Sequence, residues 1–199
     1  MLPYLSGHTR PNIAYAINCC ARYMFCPKHS HKLALECIGR YLKQMPDQGM
    51  VMNSSTELCK IDTYPDADFS GMYGHEKPTD PSCVKSCTGF VTTFAYVPIL
   101  WQSKLQMETA LSSMEAEIIA LVTCCRELFP IIDMVTSLTS SVNLPIGETT
   151  MNLSVHEDNL GALVQRHYHH NLHLKANTTP AKQFGSMKKF THGKLSFSR

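Results

Sequence analysis

Apolar side chains recur at helical spacing in the first part of the chain. From Pro11 onward they fall three or four positions apart, until Pro27 interrupts the pattern. A second pattern of the same period runs from about Ser30 to Met45 and stops before Pro46. Two consecutive amphipathic segments joined by a short connection predict a helical hairpin with basic outer faces.

The period changes to two after about residue 58, as is typical of a β-strand. Apolar and polar residues alternate over 58–66, and a turn that contains glycine follows. Residues 88–96 and 99–102 are rich in β-branched and aromatic side chains and are separated by Val97 and Pro98. The pattern therefore predicts three antiparallel strands, the last two forming a hairpin.

Helical spacing returns after residue 111. Ser112 or Ser113 is suited to cap a helix that continues to Phe129, and Pro130 should kink or end that helix. The pattern then predicts, in order, a helical piece over 131–138, a loop over 140–147, a strand over 151–156 and a short helix over 160–167. Residues 168–199 have no sustained period, which predicts a poorly packed tail.

This order of elements predicts an α/β fold. Its mixed sheet would have three antiparallel strands, a right-handed crossover helix and a further strand beside the first, preceded by the helical hairpin. The chain divides into a helical region over 1–57, an α/β domain over 58–167 and a basic tail over 168–199.

The composition argues against global disorder and against a membrane protein. The chain has 199 residues, 44% of them hydrophobic, which is enough to bury a core. The longest apolar runs, such as 129–135, are too short to cross a bilayer, and the N-terminus lacks a charged region followed by an apolar core. We therefore expect an intracellular protein with no membrane partner.

The cysteine and histidine residues do not form a recognisable zinc or disulfide framework. Nine cysteines are an odd number and two pairs are sequence neighbours, so reduced thiols are expected. A zinc site built from His75, Cys83 and Cys87 would lack the usual C-x2-C spacing and a fourth ligand. Four histidines near the start of the tail could bind metal or belong to an unsettled polar segment; they are His167, His169, His170 and His173.

Charge is segregated along the chain although its net value is only +2. Residues 1–45 contain six Lys/Arg and one acid, and residues 160–199 contain seven Lys/Arg and no acid. The middle, 46–158, contains fifteen of the sixteen acids. Basic flanks suit contacts with phosphates and an acidic centre suits divalent cations, although solvated surface is an equally good interpretation.

Three acids lie where the predicted elements converge. Asp66 ends the first strand, Glu117 lies in the first turns of the main helix and Asp158 ends the fourth strand. Clustered carboxylates are stable when hard cations neutralise them, and two Mg²⁺ ions bridged by such acids can support phosphodiester hydrolysis. Spacing alone leaves structural roles open, because Asp66 could shape a turn, Glu117 could favour the helix N-terminus and Asp158 could cap a following helix.

Seven blocks of the sequence resemble one known family. They are YLSGHTRPNIAYAINCCARY, HKLALECIGRYLK, YPDADFSG, KSCTGFV, PILWQSKLQ, LSSMEAEIIAL and VHEDNLGALVQ. In this order, over residues 3–165, they are similar to the C-terminal Pol region of copia-type retrotransposons. The first two blocks resemble the end of the reverse transcriptase and its connection, and the others resemble the ribonuclease H domain.

The resemblance implies a function for the three acids. The family's first three catalytic carboxylates match Asp66, Glu117 and Asp158, which would hold two Mg²⁺ ions, with Mn²⁺ as a substitute. By analogy, Asp66 and Asp158 would share one ion, and Glu117 and Asp66 the other. The implied reaction is hydrolysis of the RNA strand of an RNA/DNA hybrid, recognised through phosphates and 2′-OH groups. The implied partner is the reverse transcriptase portion of the same polyprotein, in a cytoplasmic or nuclear retroelement particle.

The acids beside these three are assigned other positions. Glu115 should point about 200° away from Glu117 around the helix. Asp68 is a neighbour of the first carboxylate, and Glu157 should face the opposite side of the strand from Asp158.

The sequence departs from the family pattern after Asp158. The family has a fourth carboxylate further on, and here no acid follows. One alternative is therefore a truncated or degenerate, catalytically inactive retroelement remnant that binds nucleic acid through its basic ends. Another is a relative that acts on DNA, such as an integrase or resolvase.

Two interpretations also stay open for Trp101 and for four lysines. Trp101 is either a core or strand-pairing residue or a platform for stacking bases. Lys104, Lys182, Lys188 and Lys189 either contact phosphates or are solvated charges.

Overall fold

The structure is a computed structural model that describes residues 1–50, 52, 60–71, 79–80, 83–142 and 152–158. The predicted helix over 160–167, the tail over 168–199 and His75 lie outside these residues. No helix within the described ranges combines the length and apolar character that crossing a membrane requires.

The N-terminal region contains three α-helices where two were predicted. In chain order they are α1 (Leu2–His8), α2 (Ala14–Ala21) and α3 (His29–Gln44), with a 3₁₀ turn at Pro11–Ile13 between α1 and α2. Helix α1 was missed, and the helix predicted from Pro11 is shorter than expected because its first turn is 3₁₀ and it ends at Ala21. Buried Ile13, Ile17 and Ile38 form the small core that packs these elements together.

The sheet is mixed, and the α/β class is as predicted. Its strands are β1 (Lys60–Asp68), β2 (Cys87–Phe94), β3 (Val97–Leu105) and β4 (Asn152–Val155), in the order β3-β2-β1-β4. Strands β1, β2 and β3 pair antiparallel, and β4 pairs parallel to β1. The first strand is therefore central and has the fourth strand as its neighbour.

The turn between β2 and β3 lies two residues earlier than predicted. Ala95 and Tyr96 form it, with φ of 48° and 68°, and Val97 and Pro98 belong to β3. Positive φ at both central residues of a two-residue turn matches the twist of the strands. Pro98 is tolerated because β3 lies at the edge of the described sheet and the β2–β3 register shifts there.

Helix α4 (Ser113–Val142) is one continuous element of 30 residues. The sequence predicted either a kink or an end at Pro130; an end is wrong, because the helix continues beyond this proline and beyond the expected start of a loop at residue 140. The Ser112 hydroxyl caps it by accepting a hydrogen bond from the backbone N–H of Glu115 at 3.2 Å.

Small residues allow α4 to lie close to the sheet. Ala116 and Ala120 are fully buried and pack with Ala67 of β1. One turn further along, the Cys124 Sγ lies 2.9 Å from the Thr63 hydroxyl. The beginning of α4 is thereby held over the end of β1.

The N-terminal helices contact the opposite face of the sheet. The Trp101 indole N–H donates to the Ser6 carbonyl at 2.6 Å, and the Tyr15 hydroxyl donates to Asp68 at 3.0 Å. Asp68 follows Ala67 of β1, which packs against α4, so these two side chains lie on opposite faces of the sheet. Of the two interpretations of Trp101, its contact with Ser6 supports the structural one.

The close approach of α4 to β1 predicts that Ala120→Leu destabilises the fold. The added side chain has no space at the buried helix–strand contact, so we expect the free energy of unfolding to fall by about 1–3 kcal/mol. Urea unfolding followed by circular dichroism measures this. Val122→Leu, at an exposed position of the same helix, is the control and should change stability by less than about 0.5 kcal/mol. Equal effects of the two substitutions would refute the packing account.

Candidate metal centre

Three carboxylates meet at one edge of the sheet. Asp66 lies on β1, Glu117 on the second turn of α4 and Asp158 three residues after the end of β4. One oxygen atom of each lies within 4.8 Å of the corresponding atoms of the other two. The structure thus brings together the three acids that the sequence singled out.

The topology explains why the acids meet there. Strand β4 pairs only with residues 60–63 of β1, so the later part of β1 has no strand partner on that side among the described residues. The chain continues along β1 after β4, with the His156 backbone N–H donating to the Thr63 carbonyl at 2.8 Å. On the same side, Glu117 accepts a hydrogen bond from the backbone N–H of Ala67.

Glu117 is the buried member of the group. Glu117 is only 8% exposed, and its Oε2 has no hydrogen-bond partner among the described residues. Burial, together with the nearby charges of Asp66, Glu157 and Asp158, raises the pKa of Glu117 to about 8. Asp66 is half-buried and Asp158 is exposed, so the site opens toward solvent on the Asp158 side.

The donor set fits a hard divalent cation. All three side chains offer carboxylate oxygens, which Mg²⁺ and Mn²⁺ prefer over nitrogen and sulfur. A buried carboxylate oxygen without a donor is costly unless it is protonated or meets a cation. Glu117 Oε2 is such an atom.

Three known proteins that the chain resembles are retroelement polyproteins. It is 33% identical over 144 residues to the retrovirus-related Pol polyprotein from transposon RE2 of Arabidopsis thaliana. It is 33% identical over 137 residues to that from transposon RE1 of the same plant, and 36% identical over 127 residues to that from transposon TNT 1-94 of Nicotiana tabacum. These alignments cover 72%, 69% and 64% of the chain.

The chain belongs to the copia-type retrotransposon Pol polyproteins. It spans about 9% of the length of each of these three relatives. No family model matches it, and no solved structure is significantly similar to it.

Other acids of this Pol chain have structural partners. Glu115 accepts a hydrogen bond from the Leu111 backbone N–H at 2.7 Å, next to the Ser112 cap, as suits an acid in the first turn of a helix. Asp68 accepts the Tyr15 hydroxyl, and its carboxyl occupies the space that a side chain at Gly71 would need. Neither acid belongs to the group of three, in agreement with the sequence interpretation.

Glu157 is nearly as buried as Glu117. It is 9% exposed, and its charge is one of those that raise the pKa of Glu117. Strand β4 ends at Val155, so the strict alternation of a strand no longer governs the two residues before Asp158. A fourth acid therefore lies near the buried carboxylate.

Sequence reasoning missed a buried ion-pair cluster beside the site. Asp62 of β1 is 1% exposed, and its two oxygens contact Lys60 Nζ at 3.3 Å and His156 Nε2 at 2.9 Å. Burial alone would raise the pKa of Asp62, but the hydrogen bond from His156 and the charge of Lys60 hold it below its ordinary value. The available signal was an acid in the middle of a strand and a histidine at the end of the neighbouring strand.

The cysteines offer no comparable site in the described part of the chain. The eight that the structure describes are free, as expected for reduced thiols. Cys87 accepts a contact from the Arg22 guanidinium at 3.3 Å, and neither Cys83 nor Cys87 joins a metal-ligating group there. The proposed third zinc ligand, His75, lies outside the described residues.

The burial of Glu117 predicts a pH dependence of stability in metal-free buffer. From about pH 4.5 to about pH 8 the folded chain keeps a proton that the unfolded chain has lost. The free energy of unfolding should therefore fall as pH rises through this window, by up to about 1.4 kcal/mol per pH unit. Glu117→Gln should remove this contribution and be more stable than the wild type above pH 8.

Urea unfolding in the presence of a chelator, at several pH values across the window, measures the effect. Glu127→Gln is the matched control, because this glutamate is exposed on the same helix. It should keep the wild-type pH dependence. If the free energy of unfolding of Glu117→Gln fell with pH as steeply as that of the wild type, the pH dependence would not come from Glu117.

Proposed function

We propose that the chain carries a ribonuclease H domain, which hydrolyses the RNA strand of RNA/DNA hybrids with two Mg²⁺ ions, or Mn²⁺ in their place. The observation that carries the proposal is the meeting of Asp66, Glu117 and Asp158 within 4.8 Å. The mixed sheet is compatible with a ribonuclease H-like fold, because three antiparallel strands are joined by a fourth parallel to the first. Membership in the Pol polyproteins supports the same function.

The positions of the three acids suggest distinct roles. Asp66 is half-buried, and in the proposal it lies between the other two carboxylates and would bind both ions. Glu117 would hold its ion from the protein side, since α4 and the Ala67 N–H fix this buried carboxylate. Exposed Asp158 lies on the side from which a large substrate can approach. Bound Mg²⁺ would supply the alignment of the attacking water and the stabilisation of the leaving oxygen.

The charge distribution supports a nucleic-acid substrate. Helix α3 and the residue before it present exposed Lys28, Lys32, Arg40 and Lys43 and one acid, Glu36. Such a surface suits the phosphates of a hybrid, which is recognised by its backbone and 2′-OH groups and not by its base sequence. The reverse transcriptase portion of the same polyprotein is the proposed partner.

Cleavage of a labelled RNA/DNA hybrid tests the proposal. The purified chain with Mg²⁺ should cut the RNA strand, and Asp66→Asn or Asp158→Asn should reduce the rate to background, because each removes a charged ligand from the site. Asp133→Asn, an exposed position on α4, is the matched control and should keep wild-type activity. Product analysis on denaturing gels measures the rates.

Three outcomes would count against the proposal. Equal background rates for the wild type and Asp66→Asn would exclude catalysis by these residues. Salt-sensitive hybrid binding without cleavage in Mg²⁺ or Mn²⁺ would favour an inactive remnant. Cleavage of duplex DNA that contains no RNA would favour a nuclease that acts on DNA.

A further inference from the structure

Asp158 is attached to the sheet through a short strand at the edge of the sheet that the structure describes. Strand β4 has four residues and, among the described residues, pairs only with Lys60 to Thr63 of β1, and Asp158 lies three residues beyond its end. A carboxylate at such a place needs additional contacts if it is to stay beside Asp66 and Glu117, because segments with few buried contacts open locally.

His156 makes three contacts with β1. Its backbone N–H donates to the Thr63 carbonyl at 2.8 Å, and its Nε2 lies 2.9 Å from Asp62 Oδ1. Its ring stacks on Tyr64, with 4.5 Å between centroids and 12° between planes. One residue is thus held by a backbone hydrogen bond, a side-chain hydrogen bond and an aromatic stack.

Asp62 is fixed on its other side as well. Lys60 Nζ contacts Asp62 Oδ2 at 3.3 Å and the Tyr96 hydroxyl at 3.2 Å. Both oxygens of this buried carboxylate therefore have a partner, so its orientation is well determined. The cluster joins β1, the turn after β2 and the chain after β4.

The spacing along β1 relates this cluster to the three carboxylates. Asp62, Tyr64 and Asp66 alternate along the strand and lie on one face. His156 contacts the first two of these residues, and Asp158 meets the third. His156 and Asp158 are separated by two residues of backbone, which span at most about 7 Å, so the contacts of His156 restrict where Asp158 can lie.

We propose that Asp62 and His156 are positioning residues that hold the segment 156–158 so that Asp158 stays at the metal centre. This inference rests on the proposed function, because it assigns the cluster a role toward the ion that Asp158 would bind. Neither residue touches the substrate or the ion in this account. Their effect is transmitted through two residues of backbone.

Variants of His156 separate its contacts. His156→Ala removes the side-chain contacts, His156→Phe keeps the stack on Tyr64 but not the pair with Asp62, and His156→Gln keeps a donor for Asp62. We expect Mn²⁺ binding, titrated by electron paramagnetic resonance, to weaken about ten-fold or more in His156→Ala and in His156→Phe. His156→Gln should stay close to the wild type. His8→Ala is the control, since His8 stacks on Tyr4 outside this cluster.

A double variant distinguishes positioning from a general loss of stability. In an Asp158→Asn background, His156→Ala should cause little further loss of Mn²⁺ affinity, because the ligand that it positions is already removed. A full additional loss in this background would overturn the inference, as would unchanged affinity in His156→Ala.

Hydrogen exchange in metal-free protein tests the positioning role of His156 independently of metal binding. His156→Ala should lower amide protection over 152–158 and leave β2 and β3 protected as in the wild type. Unchanged protection over 152–158 would overturn the positioning role even if Mn²⁺ binds. Absence of Mn²⁺ binding in the wild type would instead refute the proposed function. Hydrogen exchange would then still decide whether the contacts of His156 hold the segment 156–158 in place.

Discussion

Mutual repulsion among three carboxylates is the constraint on which the structure around this site depends. Asp66, Glu117 and Asp158 lie within 4.8 Å of one another, and Glu117 is nearly buried. Like charges at this distance favour either a retained proton or a bound cation. The packing of alanines on α4 against β1 and the contacts of His156 hold the acids together in spite of this repulsion. Such an arrangement is costly unless a divalent cation or a proton occupies it.

Much of the fold follows from hydrophobic period and from caps. Helix α3, all four strands to within a few residues, and the Ser112 cap were predictable because local sequence determines them. The errors arose where tertiary contacts outweigh local signals. Helix α1 is stabilised in part by the bond between Trp101 and Ser6, far apart in sequence. The helix interior accepts Pro130 although this residue lacks an N–H, and a turn with two positive φ angles formed at Ala95 and Tyr96 without glycine.

The site was predictable in its members but not in its surroundings. Residue spacing alone allowed structural roles for the acids, and the resemblance to the Pol region selected Asp66, Glu117 and Asp158. The positions of Asp62, His156 and Glu157 depend on the parallel pairing of β4 with β1 and on how the chain leaves β4. The register of this pairing and the path of the chain after Val155 are not encoded in a local pattern, because parallel partners are distant in sequence and alternation ends with the strand.

The dependence of the melting temperature on Mg²⁺ at about pH 8 tests the central claim most directly. It measures cation binding by the three carboxylates and does not require the protein to be catalytically active. A ligand that binds only the folded state stabilises it in proportion to the logarithm of its concentration. The account predicts a rise of the wild-type melting temperature with Mg²⁺ and a much smaller rise for Asp66→Asn, while the exposed control Asp133→Asn follows the wild type. Identical responses of the wild type and Asp66→Asn would contradict a metal centre at this edge of the sheet.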